Sequence, residues 1–229
     1  MSLGATRKRI TDRDTAAVRG LALLSATIAL VPALARSQPD LRFSVRVYDY
    51  VQLPPGTLQG AEAEARRIFN AAGVDVVWLA CLETGDQSGK NQDCTGPYGW
   101  NTVVLRIVSE PPSPKAAASD AAFGVAMGSA MASVFYGRLT ELTHDFRDHD
   151  SDIPVFLGIA ITHELGHLLL GPASHSPTGV MCANWDWSRL HTALTGHVFF
   201  TAQQSKQIRK QVLERTITQQ RQLASFGKH

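Results

Sequence analysis

Charge of one sign is what this 229-residue chain lacks most plainly: 22 Lys and Arg face 20 Asp and Glu, for a net charge of +2 at pH 7. Without a basic excess there is no electrostatic footprint for nucleic acid. Cysteine is scarce, with three residues, too few for a disulfide framework to stand in for a core. No uninterrupted apolar stretch reaches the ~20 residues that span a bilayer. There is also no internal repeat, so the chain reads as one domain with a removable leader.

The leader is residues 1–35. Arg7, Lys8, Arg9, Arg13 and Arg19 form a positive n-region, Gly20 to Leu34 an apolar region interrupted by Pro32, and Ala33-Leu34-Ala35 a small-x-small cleavage site. This pattern predicts a signal peptide cut after Ala35 and a secreted, periplasmic or extracellular domain over 36–229. Setting aside its five basic and two acidic residues leaves 17 basic and 18 acidic side chains, so the slight basicity belongs to the leader. Export permits a disulfide, and Cys81 with Cys94 is the favoured pair because it closes a short polar loop; Cys182 is then a buried free thiol.

Leu41 to Tyr50 alternates apolar and polar residues as a half-buried strand does. Residues 57–72 carry Leu58, Ala61, Ala65, Ile68 and Phe69 at helical spacing, and Gly73 ends that helix. Val74 to Leu79 and Thr102 to Val108 read as further strands. Two more are expected between Ala121 and Leu139, the first short and at an edge. Thr143 to Asp152, with two His and four Asp, has the composition to hold a second ion but reads better as a solvated loop ending in a helix cap. From Asp152, with Pro154 in the first turn, a helix runs to Leu170 and stops at Gly171-Pro172. After Trp185 and Trp187 comes a stretch without clear period, then a capping-box pattern at Thr201 to Gln204 and a last helix to about residue 224. Its Lys and Arg residues read as a solvated outer face.

The chemistry sits in His163-Glu164-Leu-Gly-His167. A chance match to His-Glu-x-x-His in a chain with this His and Glu content is roughly a one-in-a-hundred event. Four residues apart on a helix, both imidazoles face one point and can share a metal ion, with Glu164 beside them. A catalytic zinc site needs a third protein ligand and an open fourth position. His175 leads for that role, because Gly171-Pro172 reverses the chain just before it; His191, His197, Asp186 and Glu214 compete. Glu164 is the candidate general base for a water acidified by one catalytic Zn2+.

Residues 163–181 resemble the metzincin clan of zinc metallopeptidases, whose signature is HExxHxxGxxH followed by a methionine-containing turn. The resemblance implies an α+β fold with a twisted mixed sheet of about five strands, a backing helix, an active-site helix and a C-terminal helix. It also implies Met181 beneath the ligands, Phe123 to Met127 as a strand aligning a peptide substrate, and Trp185 to Trp187 near the specificity pocket. The spacing departs from the clan: the Gly follows the second His by four positions, and His175 follows that Gly by four. Position 183 is Ala where some members carry Tyr, and for the oxyanion only Tyr136 and His191 come to hand, without support from spacing. The expected activity is that of a secreted zinc endopeptidase acting on peptide or protein, monomeric by default, with no nucleic-acid partner and no membrane attachment after cleavage. A zinc hydrolase of a non-peptide amide and a zinc-stabilised binding module are the alternatives.

Overall fold

A computed structural model describes residues 41–81, 94, 96, 99–111, 123–145, 152–185 and 187–226. The leader expected over 1–35, the Asp-rich stretch after Asp145 and the competing ligand Asp186 lie outside them. The described residues belong to one compact unit.

Five strands form one mixed sheet in the order β2-β1-β3-β5-β4. β1 (Arg42–Asp49) pairs in parallel with β2 (Asp75–Cys81) on one side and β3 (Thr102–Val108) on the other. β5 (Met131–Phe135) continues the parallel run beside β3, and β4 (Gly124–Met127) folds back antiparallel as the edge. α1 (Thr57–Ala71) makes the crossover between β1 and β2, since parallel neighbours cannot be joined by a hairpin. The register places Phe43, Val45 and Val47 on one face with Val103, Leu105 and Ile107, and all are buried. Against that face lie Ala61, Ala65, Ile68 and Phe69 of α1 and the central helix α3 (Ile153–Leu170).

Twelve of the 18 residues of α3 are buried, so the helix is apolar nearly all round because protein surrounds it on most sides. Pro154 sits in its first turn as expected, where a missing N–H costs nothing. Asp152 takes the N-cap position, but its side chain makes no capping hydrogen bond. Gly171 ends the helix with φ 95° and ψ 168°, outside the left-handed helical region but at a positive φ that calls for glycine.

Two helices differ from the sequence reading. The last strand ends at Phe135, and α2 (Tyr136–Asp145) begins where the strand was expected to run on to Leu139. Its buried Leu139 and Thr143 are one turn apart, a period masked by the polar residues between and after them. α4 (Trp187–Leu194) occupies the stretch that showed no period, and it buries Leu190 and Ala193 deeply. α5 (Ala202–Phe226) closes the domain. Its start is a reciprocal capping box: Thr201 N–H donates to Gln204 Oε1 at 3.0 Å and Gln204 N–H to Thr201 Oγ1 at 3.2 Å. From α5, Arg215 donates to Leu168 O at 2.7 Å and Gln207 to Leu170 O at 3.3 Å, satisfying carbonyls left open at the end of α3. Cys81 and Cys94 form the expected disulfide, and Cys182 is free and buried.

Candidate metal centre

α3 carries His163 and His167 on one face, one turn apart, and the loop after Gly171 brings His175 against them. The three Nε2 atoms lie 3.1 Å (163 to 167), 3.1 Å (167 to 175) and 3.3 Å (163 to 175) apart. Ligand atoms ~2.0–2.1 Å from a tetrahedral zinc ion are about 3.3–3.4 Å from one another. The rings are therefore spaced as a zinc site requires, with three nitrogens of the kind zinc takes. Among the described residues the group holds three such side chains, which leaves one tetrahedral position without a protein ligand.

The tautomers agree with this reading. His163 Nδ1–H donates to Val180 O at 2.8 Å, which leaves the Nε2 lone pair turned to the centre. His167 Nδ1 lies 3.2 Å from Gly171 O and 3.0 Å from Ser174 Oγ, and the Ser174 hydroxyl donates to Gly171 O at 2.7 Å. His167 therefore donates from Nδ1 as well. Burial, aided by the neighbouring imidazoles and opposed by the Val180 bond, pushes His163 down to about 4. Burial also lowers His167. Neutral rings are the form that binds a metal.

Glu164 is 6% exposed, and burial pushes its carboxyl up to about 8. It lies against β4: a Cβ on Gly124 would come within 2.6 Å of Glu164 Cγ and 2.6 Å of Ser133 O. No larger residue fits there without moving the carboxyl or the strand. On the other side, Met181 is fully buried beneath α3, its Sδ 2.5 Å from where a Cβ on Gly166 would stand. The turn at Val180-Met181 thus supplies both the acceptor for His163 and the packing under α3.

A cleft of about 360 Å³ opens over the three histidines and Glu164. Its rim includes Phe123 to Ala126 of the edge-strand region, and its apolar interior includes Leu139, Phe156, Ile159 and Leu190, with Trp185 at the wall. Tyr136 and His191 do not line it. Of the competing ligands, His197 pairs with Thr195 Oγ1 at 2.9 Å, Glu214 faces Lys210 at 3.8 Å on α5, and His191 is exposed on α4. None of these joins the histidine group. Sequence reasoning missed Ser174, which orients His167, and Gln204, discussed below. A serine next to a histidine in sequence carries no spacing signal, and Gln204 was marked only as part of the capping box of the last helix.

No family model matches the chain, and no curated protein matches it in sequence. Among solved structures it is similar to a zinc-dependent peptidase from Methanocorpusculum labreanum, with TM-score 0.51 and 13% identity over 72% of this chain and 99% of that one. An archaemetzincin from Methanopyrus kandleri gives TM-score 0.49 and 18% identity over 77% of this chain and 98% of that one. At such identity the first likeness is one of fold: a mixed five-stranded sheet with helices, α+β.

Proposed function

We propose that the protein is an exported zinc-dependent endopeptidase, with His163, His167 and His175 as zinc ligands and Glu164 as general base. One observation carries this reading: three imidazole Nε2 atoms at tetrahedral zinc spacing, beside a buried carboxyl, at the base of an open cleft. Zinc held there supplies Lewis acidity, lowering the pKa of water to about 7. Glu164, fixed between α3 and Gly124, would be held as the carboxylate by a dication at the three histidines, against the upward push of burial, and is then placed to take a proton from an attacking water and hand it to the leaving amine. β4, the edge strand among the described residues, offers backbone groups to an extended peptide, and the apolar lining of the cleft suits an uncharged side chain of the substrate.

The test is to measure zinc in the purified protein and to assay a broad peptide pool with wild type and Glu164→Gln. We expect one zinc in both and a loss of cleavage of about 10²–10⁴-fold in the variant. A carefully prepared wild type without zinc sinks the reading. Zinc without cleavage of any peptide points instead to a non-peptide amide or to a binding module. Export is part of the proposal, supported by the leader pattern of 1–35 and by the Cys81–Cys94 disulfide, which persists in oxidising compartments. Sequencing the N-terminus of the exported protein should find Arg36; a cytoplasmic chain retaining residues 1–35 removes that part.

A further inference from the structure

His175 is the exposed member of the group, and it stands on a loop without helix or strand. Among the described residues its ring approaches only the rings of His163 and His167. The residues on either side of it are held instead, and by one side chain. Gln204 Nε2 donates to Ser174 O at 3.0 Å and to Ser176 Oγ at 3.2 Å. Ser176 is fixed further, its N–H donating to Met181 O at 2.9 Å and its hydroxyl to Thr178 O at 2.8 Å.

Gln204 is 9% exposed, and its amide is shared between two tasks. The oxygen accepts Thr201 N–H and completes the capping box of α5; the nitrogen spends both hydrogens on the loop that carries the third histidine. The helix behind it is 25 residues long and is anchored elsewhere by Arg209, which donates to Ala72 O at 2.6 Å, and by Arg215. The loop is thus fastened to a fixed body at two points that bracket one residue.

We propose that Gln204 is a positioning residue for His175, holding the loop so that the third imidazole meets the other two before any metal arrives; the proposal rests on the zinc reading given above. A loop left free must be ordered by the metal itself, and that conformational cost appears as lost affinity. Outer-sphere partners of metal ligands are typically worth 10–100-fold in affinity.

The shared amide makes the idea separable from a role in folding. Gln204→Glu keeps an oxygen for Thr201 N–H, and Thr-x-x-Glu is itself a favoured capping box, but it has no hydrogen to give Ser174 or Ser176. Gln204→Met removes the donors without adding charge near a cation. Thr201→Val does the reverse, damaging the cap while sparing both loop bonds. Zinc affinity of the full chain is measured by competition with a chromophoric chelator, and the visible spectrum of the Co2+-loaded protein reports ligand geometry. We expect both Gln204 variants to bind zinc about 10–100-fold more weakly and to change the Co2+ bands, with Thr201→Val lowering the Tm but leaving affinity and spectrum alone. In a His175→Ala background, Gln204→Met should cost nothing further. Equal weakening by Thr201→Val and Gln204→Glu, or a full loss from Gln204→Met on top of His175→Ala, overturns the proposal. If wild type binds zinc and the Gln204 variants match it, positioning alone falls; if wild type binds none, the zinc reading falls and takes this proposal with it.

Discussion

The two halves of the histidine group are built in opposite ways. His163 and His167 stand on a buried helix, half-buried themselves, and each has a partner for its second ring nitrogen: Val180 O for one, Gly171 O and Ser174 for the other. His175 stands on an irregular loop, is exposed, and is held through its neighbours. Helical periodicity alone sets the first pair, because i and i+4 share a face whatever the rest of the chain does. The position of the third depends on a side chain 29 positions further on, at the start of another helix.

The largest expected effects test that asymmetry directly. His163→Ala and His175→Ala should each abolish tight zinc binding, yet differ in metal-free stability. Removing His163 takes the donor from Val180 O and leaves a gap beneath the helix, a cost of about 1–3 kcal/mol. Removing the exposed His175 should stay within about 0.5 kcal/mol. Denaturant unfolding of chelator-treated protein measures both; an equal loss in the two variants breaks the comparison, because it makes the loop part of the folding core.

Next come the two close approaches on the helix side. Gly124→Ala places a Cβ 2.6 Å from the Ser133 carbonyl as well as from Glu164 Cγ, so backbone must shift. We expect about 1–3 kcal/mol of destabilisation and a sharp fall in peptide hydrolysis with zinc affinity kept. Gly166→Ala meets the Met181 sulfur, the soft end of a flexible side chain, and should lie at the low end of that range. Unfolding curves beside zinc titrations check both. A larger loss from Gly166→Ala would mean the Met181 turn is the rigid part.

The same asymmetry governs what the sequence disclosed. The strand at Thr102–Val108, the helix ending at Leu170, the capping box at Thr201 and the edge strand near Gly124 all follow from local period or punctuation, and the structure has them. The helix at Tyr136–Asp145 was hidden because, among its residues of described burial, Leu139 and Thr143 are the deeply buried ones, and a threonine does not register in an apolar period. At Trp187–Leu194 the residues described as buried, Leu190 and Ala193, are three apart and too few to show a face in the sequence. At the histidine group the spacing of 163 and 167 was legible. The reversal at Gly171-Pro172 also pointed to His175, but the hydrogen bonds from Gln204 that hold the loop were hidden, since no pattern within the loop encodes them.

The smallest expected effect separates the halves most finely. Ser174→Ala removes the hydroxyl 3.0 Å from His167 Nδ1 but keeps the backbone carbonyl that Gln204 holds. It should therefore loosen a helix-borne histidine and the Ser174–Gly171 turn while leaving the two Gln204 bonds to the loop in place. His167 retains Gly171 O at 3.2 Å as an acceptor, so the loss of zinc affinity should be about tenfold, at the weak end for an outer-sphere partner. Combined with Gln204→Met, the double variant should bind zinc more weakly than either single one, because one acts on His167 and the other on His175, with less than full additivity since Gln204 bonds Ser174 O directly. A double variant no weaker than either single one would show that Ser174 and Gln204 serve the same histidine, and the division between helix and loop would have to be redrawn with Ser174 on the loop's side.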